Sequence, residues 1–258
     1  MPYTNPGRLV ILAFVAVSSG CSDSPADPRG SQSPELAQVL QQMSLPAVAG
    51  AVGGFAPVSV PALAAAVPSQ CVHESASGNF VCPPVNFSGI TVSRSFTLFD
   101  AAGASQSGFV PTTTAAVRTH TTARGTLTGG AMSLALDEED TMTLSGLLTS
   151  ANTLDGVSNA RMSGSYGSGS STVPFTMTTA TTIARVVLPK PSGGERAYPM
   201  SGTVTVDNTI TTSTLAPSST RLVMTFNGTS VVDVVMTSFG VTRHCTVDTA
   251  RSSLYSCS

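Results

Sequence analysis

The chain has 258 residues, 12 Lys+Arg against 14 Asp+Glu, and only 10% charged side chains, well below the roughly 25% of an average soluble domain. Hydrophobic residues still make up 41%, so hydroxyls replace the missing charge: 36 Ser and 34 Thr. This balance excludes a disordered polyelectrolyte, which pairs low hydrophobicity with high net charge. Eleven Arg and one Lys scattered along the chain also form no basic stripe for nucleic acid.

Residues 1–20 read as a signal peptide. Arg8 precedes the apolar run Leu9 to Val17, whose nine residues rise only about 14 Å as a helix, too short for a bilayer core of about 30 Å. A basic start, a short apolar stretch and small residues after it are the pattern of an export signal. Ser18-Ser19-Gly20 leads directly into Cys21. This junction resembles that of a bacterial lipoprotein precursor, with Ser18 where that class usually carries an aliphatic residue. The resemblance implies cleavage before Cys21, acylation of its thiol and anchoring in the cell envelope through the N-terminal lipid. Ser22 rather than Asp after the cysteine implies the outer membrane.

Residues 21–33 form a polar, Pro-containing tether of extended character. Ser33-Pro34 then reads as a helix N-cap and first helical position. Leu36, Val39, Leu40 and Met43 follow at the spacing of one helical face. The stretch to residue 70 is an apolar Ala/Pro/Gly linker, in which repeated prolines and glycines forbid one long helix.

From Cys71 to the C-terminus the period becomes two. Ile90, Val92, Phe96 and Leu98 alternate with hydroxyl residues. Val173, Phe175, Met177 and Ile183 share one parity of a Thr-rich run ending at Leu188, and Phe239, Val241, Cys245 and Val247 share another. The β-branched Thr excess suits a pleated surface. Asn227-Gly228 predicts a two-residue hairpin; Asp207-Asn208 and Gly129-Gly130 are further turn candidates. A turn is also expected at Glu138 to Asp140, pairing Leu136 with Met142 and Leu134 with Leu144. Gly164 to Ser171 reads as an exposed loop. About a dozen strands without a helical pattern predict an all-β domain over 71–258, a single large antiparallel sheet, curved or barrel- or sandwich-like, preceded by the short N-terminal helix.

Five cysteines leave one unpaired in an oxidising compartment, and acylation of Cys21 would remove the odd one. The other four fall in two local pairs. A turn at Ser75 to Gly78 would set Val72 beside Val81 and His73 beside Phe80, bringing Cys71 to Cys82. A turn near Arg251 would set Val247 beside Tyr255, bringing Cys245 to Cys257. Of three connectivities, these hairpin staples are the expected ones.

Chemistry is sparse. The G-x-S-x-G elbow, the phosphate-binding glycine loop and any zinc spacing are absent, so neither a cofactor nor a metal is expected. His73 and His244, each near a cysteine pair, and Asp233, between valines in an apolar strand, are the candidate functional side chains; the alternative for each is an ordinary strand-face residue. Two readings follow: a lipid-anchored module binding a small apolar or amphipathic ligand, or a surface-interaction lipoprotein without a pocket. A hydrolase and a membrane-spanning β-barrel are weaker readings.

Overall fold

Alternating apolar and hydroxyl residues bury one side of a strand and hydrate the other, and this pattern recurs along the long strands. The computed structural model describes residues 71–87, 89–129, 132–166, 173–190, 198–213, 216–249 and 255–257, all within one compact unit, Val52–Ser258. The export signal, Cys21, the tether, the Pro34 helix and the apolar linker lie outside the described residues, as does the second glycine of Gly129-Gly130.

The strands are β1 (Val72–Glu74), β2 (Asn79–Val81), β3 (Val85–Phe87), β4 (Ile90–Asp100), β5 (Ser105–Gln106), β6 (Thr114–Gly129) and β7 (Met132–Ser145). They continue with β8 (Ala151–Tyr166), β9 (Val173–Pro189), β10 (Ser201–Thr212), β11 (Ser218–Thr225), β12 (Val231–Ser238), β13 (Val241–Asp248) and β14 (Tyr255–Cys257). They form one antiparallel sheet, ordered β1-β2-β4-β6-β7-β8-β9-β10-β11-β12-β13-β14, with β3 and β5 also pairing to β4. From β6 onward each strand pairs with its successor in the chain. β1 and β14 end the path without pairing to each other, so the sheet is not closed among the described residues. The described residues contain no helix.

Both ends of this path are three-residue strands, and each is covalently tied to the sheet. Cys71–Cys82 binds β1 to β2 and Cys245–Cys257 binds β14 to β13. The registers are those expected from the sequence: Val72 opposite Val81, His73 opposite Phe80, Val247 opposite Tyr255. Short edge strands suppress edge-to-edge pairing with other chains, and the disulfides keep them in place. The flank of β4 is covered piecewise, by β5 at Leu98, by β2 at Phe96 and by β3 at Val92.

One transverse row runs the full width of the sheet on a single face. It passes through His73, Phe80, Phe96, Thr119, Met142, Gly156, Ile183, Val204, Met224, Val234, Cys245 and Cys257. Phe80 stacks on Phe96 with ring centroids 4.7 Å apart. This face, termed inner, carries the core: Leu98, Val186, Val204, Val206, Met224 and Val232 are all almost wholly buried.

A β-bulge keeps the long strand β9 in this core. Between Ile183 and Val186 one extra residue is inserted relative to both β8 and β10, so the inward parity changes from odd to even and Val186 and Leu188 still point inward. Arg185 occupies the bulge with φ 50°, and its N–H donates to Asp155 Oδ1 at 2.8 Å. Gly202 faces the bulge across β10 with φ +106°, and a Cβ there would lie 2.4 Å from the Arg185 carbonyl oxygen.

Several turn expectations are corrected. Asp137 to Asp140 form no turn: β7 runs straight through them, and Leu134, Leu136, Met142 and Leu144 pair with β6 and β8 rather than with one another. Those four residues share one face, because alternation continues unbroken through the acidic tetrad. Asp207 and Asn208 lie within β10; Asp207 meets Arg221 at 3.4 Å, and the buried Asn208 accepts from Thr179 Oγ1. Asn227-Gly228 belongs to a five-residue connection from Phe226 to Ser230. There Asn227 Oδ1 accepts from the Thr229 N–H and hydroxyl, while the Gly228 N–H donates to the Pro199 carbonyl. Anchoring to the neighbouring connection replaces the tight hairpin. Gly164 to Tyr166 extend β8 rather than opening a loop. Phe239 is not a strand residue but a turn residue, 53% exposed.

Candidate functional site

The inner face is unevenly buried along the strands. Toward the Leu98 end of β4, most of its apolar side chains are sealed, with Met142 and Leu154 partly accessible. Toward the Ile90 end, beyond the row of Arg94, Thr121, Asp140, Ser158 and Thr181, Ile90, Met177 and Asn208 are buried, but much of the face is only half-buried. Leu127, Leu134, Leu136, Met162, Phe175 and Ile210 all lie there on inward positions of β6 to β10, each partly accessible. Two further rows connect them: Gly125, Leu136, Met162, Met177 and Ile210, then Leu127, Leu134, Gly164 and Phe175. Most outward positions in the same stretch, among them Arg124, Asp137, Arg161 and Thr178, are exposed.

Two carboxylates border this apolar area. Because β7 continues through the acidic tetrad, its four residues split between the faces. Asp137 and Glu139 point outward, where Arg124 Nε donates to Asp137 Oδ1 at 2.8 Å and His120 Nε2 lies 3.9 Å from Glu139. Glu138 and Asp140 point inward. Glu138 is flanked by Ala123 and Ala160, and Asp140 by Thr121 and Ser158. Neither carboxylate makes an ion pair among the described residues, and Asp140 Oδ1 is buried without a hydrogen-bond partner. Burial raises the Glu138 pKa above its ordinary value, and the negative charge of Asp140 raises it further. The result is an amphipathic surface: six aliphatic or aromatic side chains beside two carboxyl groups outside any ion pair and a set of hydroxyls.

The candidate residues named from sequence are not gathered here. His73 lies on β1 at one end of the sheet, its ring 4.9 Å from that of Phe80. His244 lies on β13, opposite Val235 on the outer face. The two histidines therefore sit near opposite ends of the strand order and share no site. Asp233 is exposed on the outer face of β12, opposite Thr225 and Thr246, and shares that face with Val231 and Val235. Among the described residues no group of three or more His, Cys, Asp or Glu is placed to hold a metal ion.

Glu138 and Asp140 were missed by sequence reasoning, which treated the tetrad as a solvated turn. The available signal was the parity of Leu134, Leu136, Met142 and Leu144, which places residues 138 and 140 in the same inward series. No family model, curated protein or solved structure matches the chain.

Proposed function

We propose that this protein is an exported lipoprotein, acylated at Cys21 and held on the bacterial cell envelope at the outer membrane. Its β-domain binds an apolar or amphipathic ligand on the half-buried end of the inner face. The observation that supports the ligand is the group of partly accessible apolar side chains at that end, Leu127, Leu134, Leu136, Met162, Phe175 and Ile210, bordered by Glu138 and Asp140 beside a largely sealed core. Ligand sites are mostly apolar with a few converging polar groups, and this end has that composition. The carboxyl pair suits a neutral or cationic head group over an anionic one. The anchoring is supported by the residues around Cys21 and by the even cysteine count that acylation leaves for two disulfides. A membrane-spanning barrel fits poorly, since it needs a closed sheet and an apolar outward band, whereas mid-strand outward positions here carry Arg118, Arg124, Asp137, Glu139 and Arg161.

A surface-interaction lipoprotein is the second reading. Val110, Leu148, Met200 and Val231 favour it, being exposed apolar residues at or beside the connections of the opposite sheet end. One pair of experiments separates the readings. Full-length protein carrying Cys21→Ala should move from the membrane to the soluble fraction; persistent membrane association would reject the acyl anchor. That soluble protein should enhance the fluorescence of the neutral probe N-phenyl-1-naphthylamine, and Leu136→Arg should abolish the enhancement. No enhancement in the parent would reject the ligand face in favour of the second reading.

A further inference from the structure

The β12–β13 hairpin carries a feature that the ligand face does not use. Ser238 pairs with Val241, so Phe239 and Gly240 alone make the turn, with φ of 52° and 76°. Two-residue turns with both central residues at positive φ are normally filled by Asn, Asp or Gly, because a side chain there is strained. Here the first position holds a phenylalanine, 53% exposed, next to Val241, 50% exposed. Strain of this kind clusters at functional sites, and about half of the Phe239 side chain remains open to water.

Charge along the hairpin is polarised. Arg243 is exposed near the turn and makes no ion pair among the described residues. The acidic residues of the two strands, Asp233 and Asp248, lie toward the other end, where Val231 pairs with Asp248. Asp207, which shares an outer row with Thr237 and Thr242, is already answered by Arg221 at 3.4 Å. The turn half of the hairpin therefore offers an aromatic ring, a valine and a cation. Among the described residues, the connections at the opposite end carry one cation, Lys190, which donates to the Leu147 carbonyl at 2.7 Å.

We propose that the Phe239–Gly240 turn docks on an anionic lipid surface, Phe239 and Val241 entering the head-group region while Arg243 meets lipid phosphates. Apolar rings combined with basic side chains are what such interfaces hold. The turn sits at the sheet end that bears the half-buried area: one row runs from Glu138 through Ala160, Thr179, Asn208, Thr220 and Ser238 to Val241. Docking would present that area to the bilayer, so the inference rests on the envelope reading and names the neutral or zwitterionic lipids of that surface as the source of the ligand.

The test uses full-length protein with Cys21→Ala, so that no acyl chain contributes to binding. The chain has no tryptophan, and Phe239→Trp supplies a single reporter at the turn. With vesicles of equal parts phosphatidylcholine and phosphatidylglycerol, its emission should shift to the blue and the protein should sediment with the lipid. Phe239→Asn should weaken partitioning about tenfold while raising the melting temperature, because asparagine relaxes the turn. Arg243→Gln should weaken it about fivefold on these vesicles and leave binding to pure phosphatidylcholine unchanged. Unshifted emission from the Phe239→Trp protein, or a Phe239→Asn protein that is more stable yet partitions equally, would overturn the proposal. Neither result bears on probe binding at Leu136 or on release by Cys21→Ala, so failure of the turn is distinguishable from failure of the ligand face or the anchor.

Discussion

Replacing Gly202 by alanine tests whether the bulge in β9 organises the core. The added Cβ would lie 2.4 Å from the Arg185 oxygen, 2.5 Å from Val186 Cα and 2.7 Å from the Arg185 carbonyl carbon. All three are backbone atoms, and Val186 is fully buried, so no flexible side chain can yield. A non-glycine residue at φ +106° adds backbone strain of about 1–3 kcal/mol, and overpacking against a buried strand adds a similar amount. Together they predict a loss of about 4 kcal/mol, a large part of the roughly 5–15 kcal/mol that holds a domain folded. Gly228→Ala is the matched control: φ is +84°, but the nearest atoms are 3.9 Å away, leaving only backbone strain of about 1–2 kcal/mol. Urea unfolding of both variants, compared at equal slope, gives the difference directly. A Gly202→Ala cost no greater than that of Gly228→Ala would refute the packing argument.

Three further outcomes are expected. Cys82→Ser and Cys257→Ser should each cost about 3 kcal/mol, the chain-entropy value for loops this short, and non-reducing peptide maps should link 71 to 82 and 245 to 257; a link between the two pairs would contradict the structure. Glu138 binds its proton more tightly folded than unfolded, so wild-type stability should fall as pH rises from the ordinary glutamate value through the raised one. Glu138→Gln should remove that fall and raise the melting temperature at neutral pH; an unchanged pH profile would assign the dependence elsewhere. Lys190→Met should lose about 1 kcal/mol with the hydrogen bond to Leu147, and a neutral result in thermal unfolding would show that the contact contributes nothing.

The fold class was legible because strand alternation is a local property, and so were the hairpin disulfides, whose registers follow from short turns and matched side chains. Turns defined by composition alone were less so. Asp137 to Asp140 and Asp207-Asn208 have turn-forming residues, yet cross-strand pairing across three adjacent strands keeps them extended. Phe239 failed in the opposite direction, since an apolar residue in an alternating series reads as strand and nothing local marks it for a left-handed turn. The bulge at Arg185 is a one-residue insertion, visible only once both neighbouring registers are known. The inward carboxylates needed parity to be trusted over polarity. Cys21 stands apart, because its proposed role is read from motif alone and owes nothing to the sheet.

Native mass spectrometry of the full-length Cys21→Ala protein, purified from bacterial envelopes without detergent, tests the ligand-binding face most directly. The account predicts a non-covalent adduct of lipid-like mass that is absent from the Leu136→Arg protein. Bare polypeptide from both preparations would contradict it.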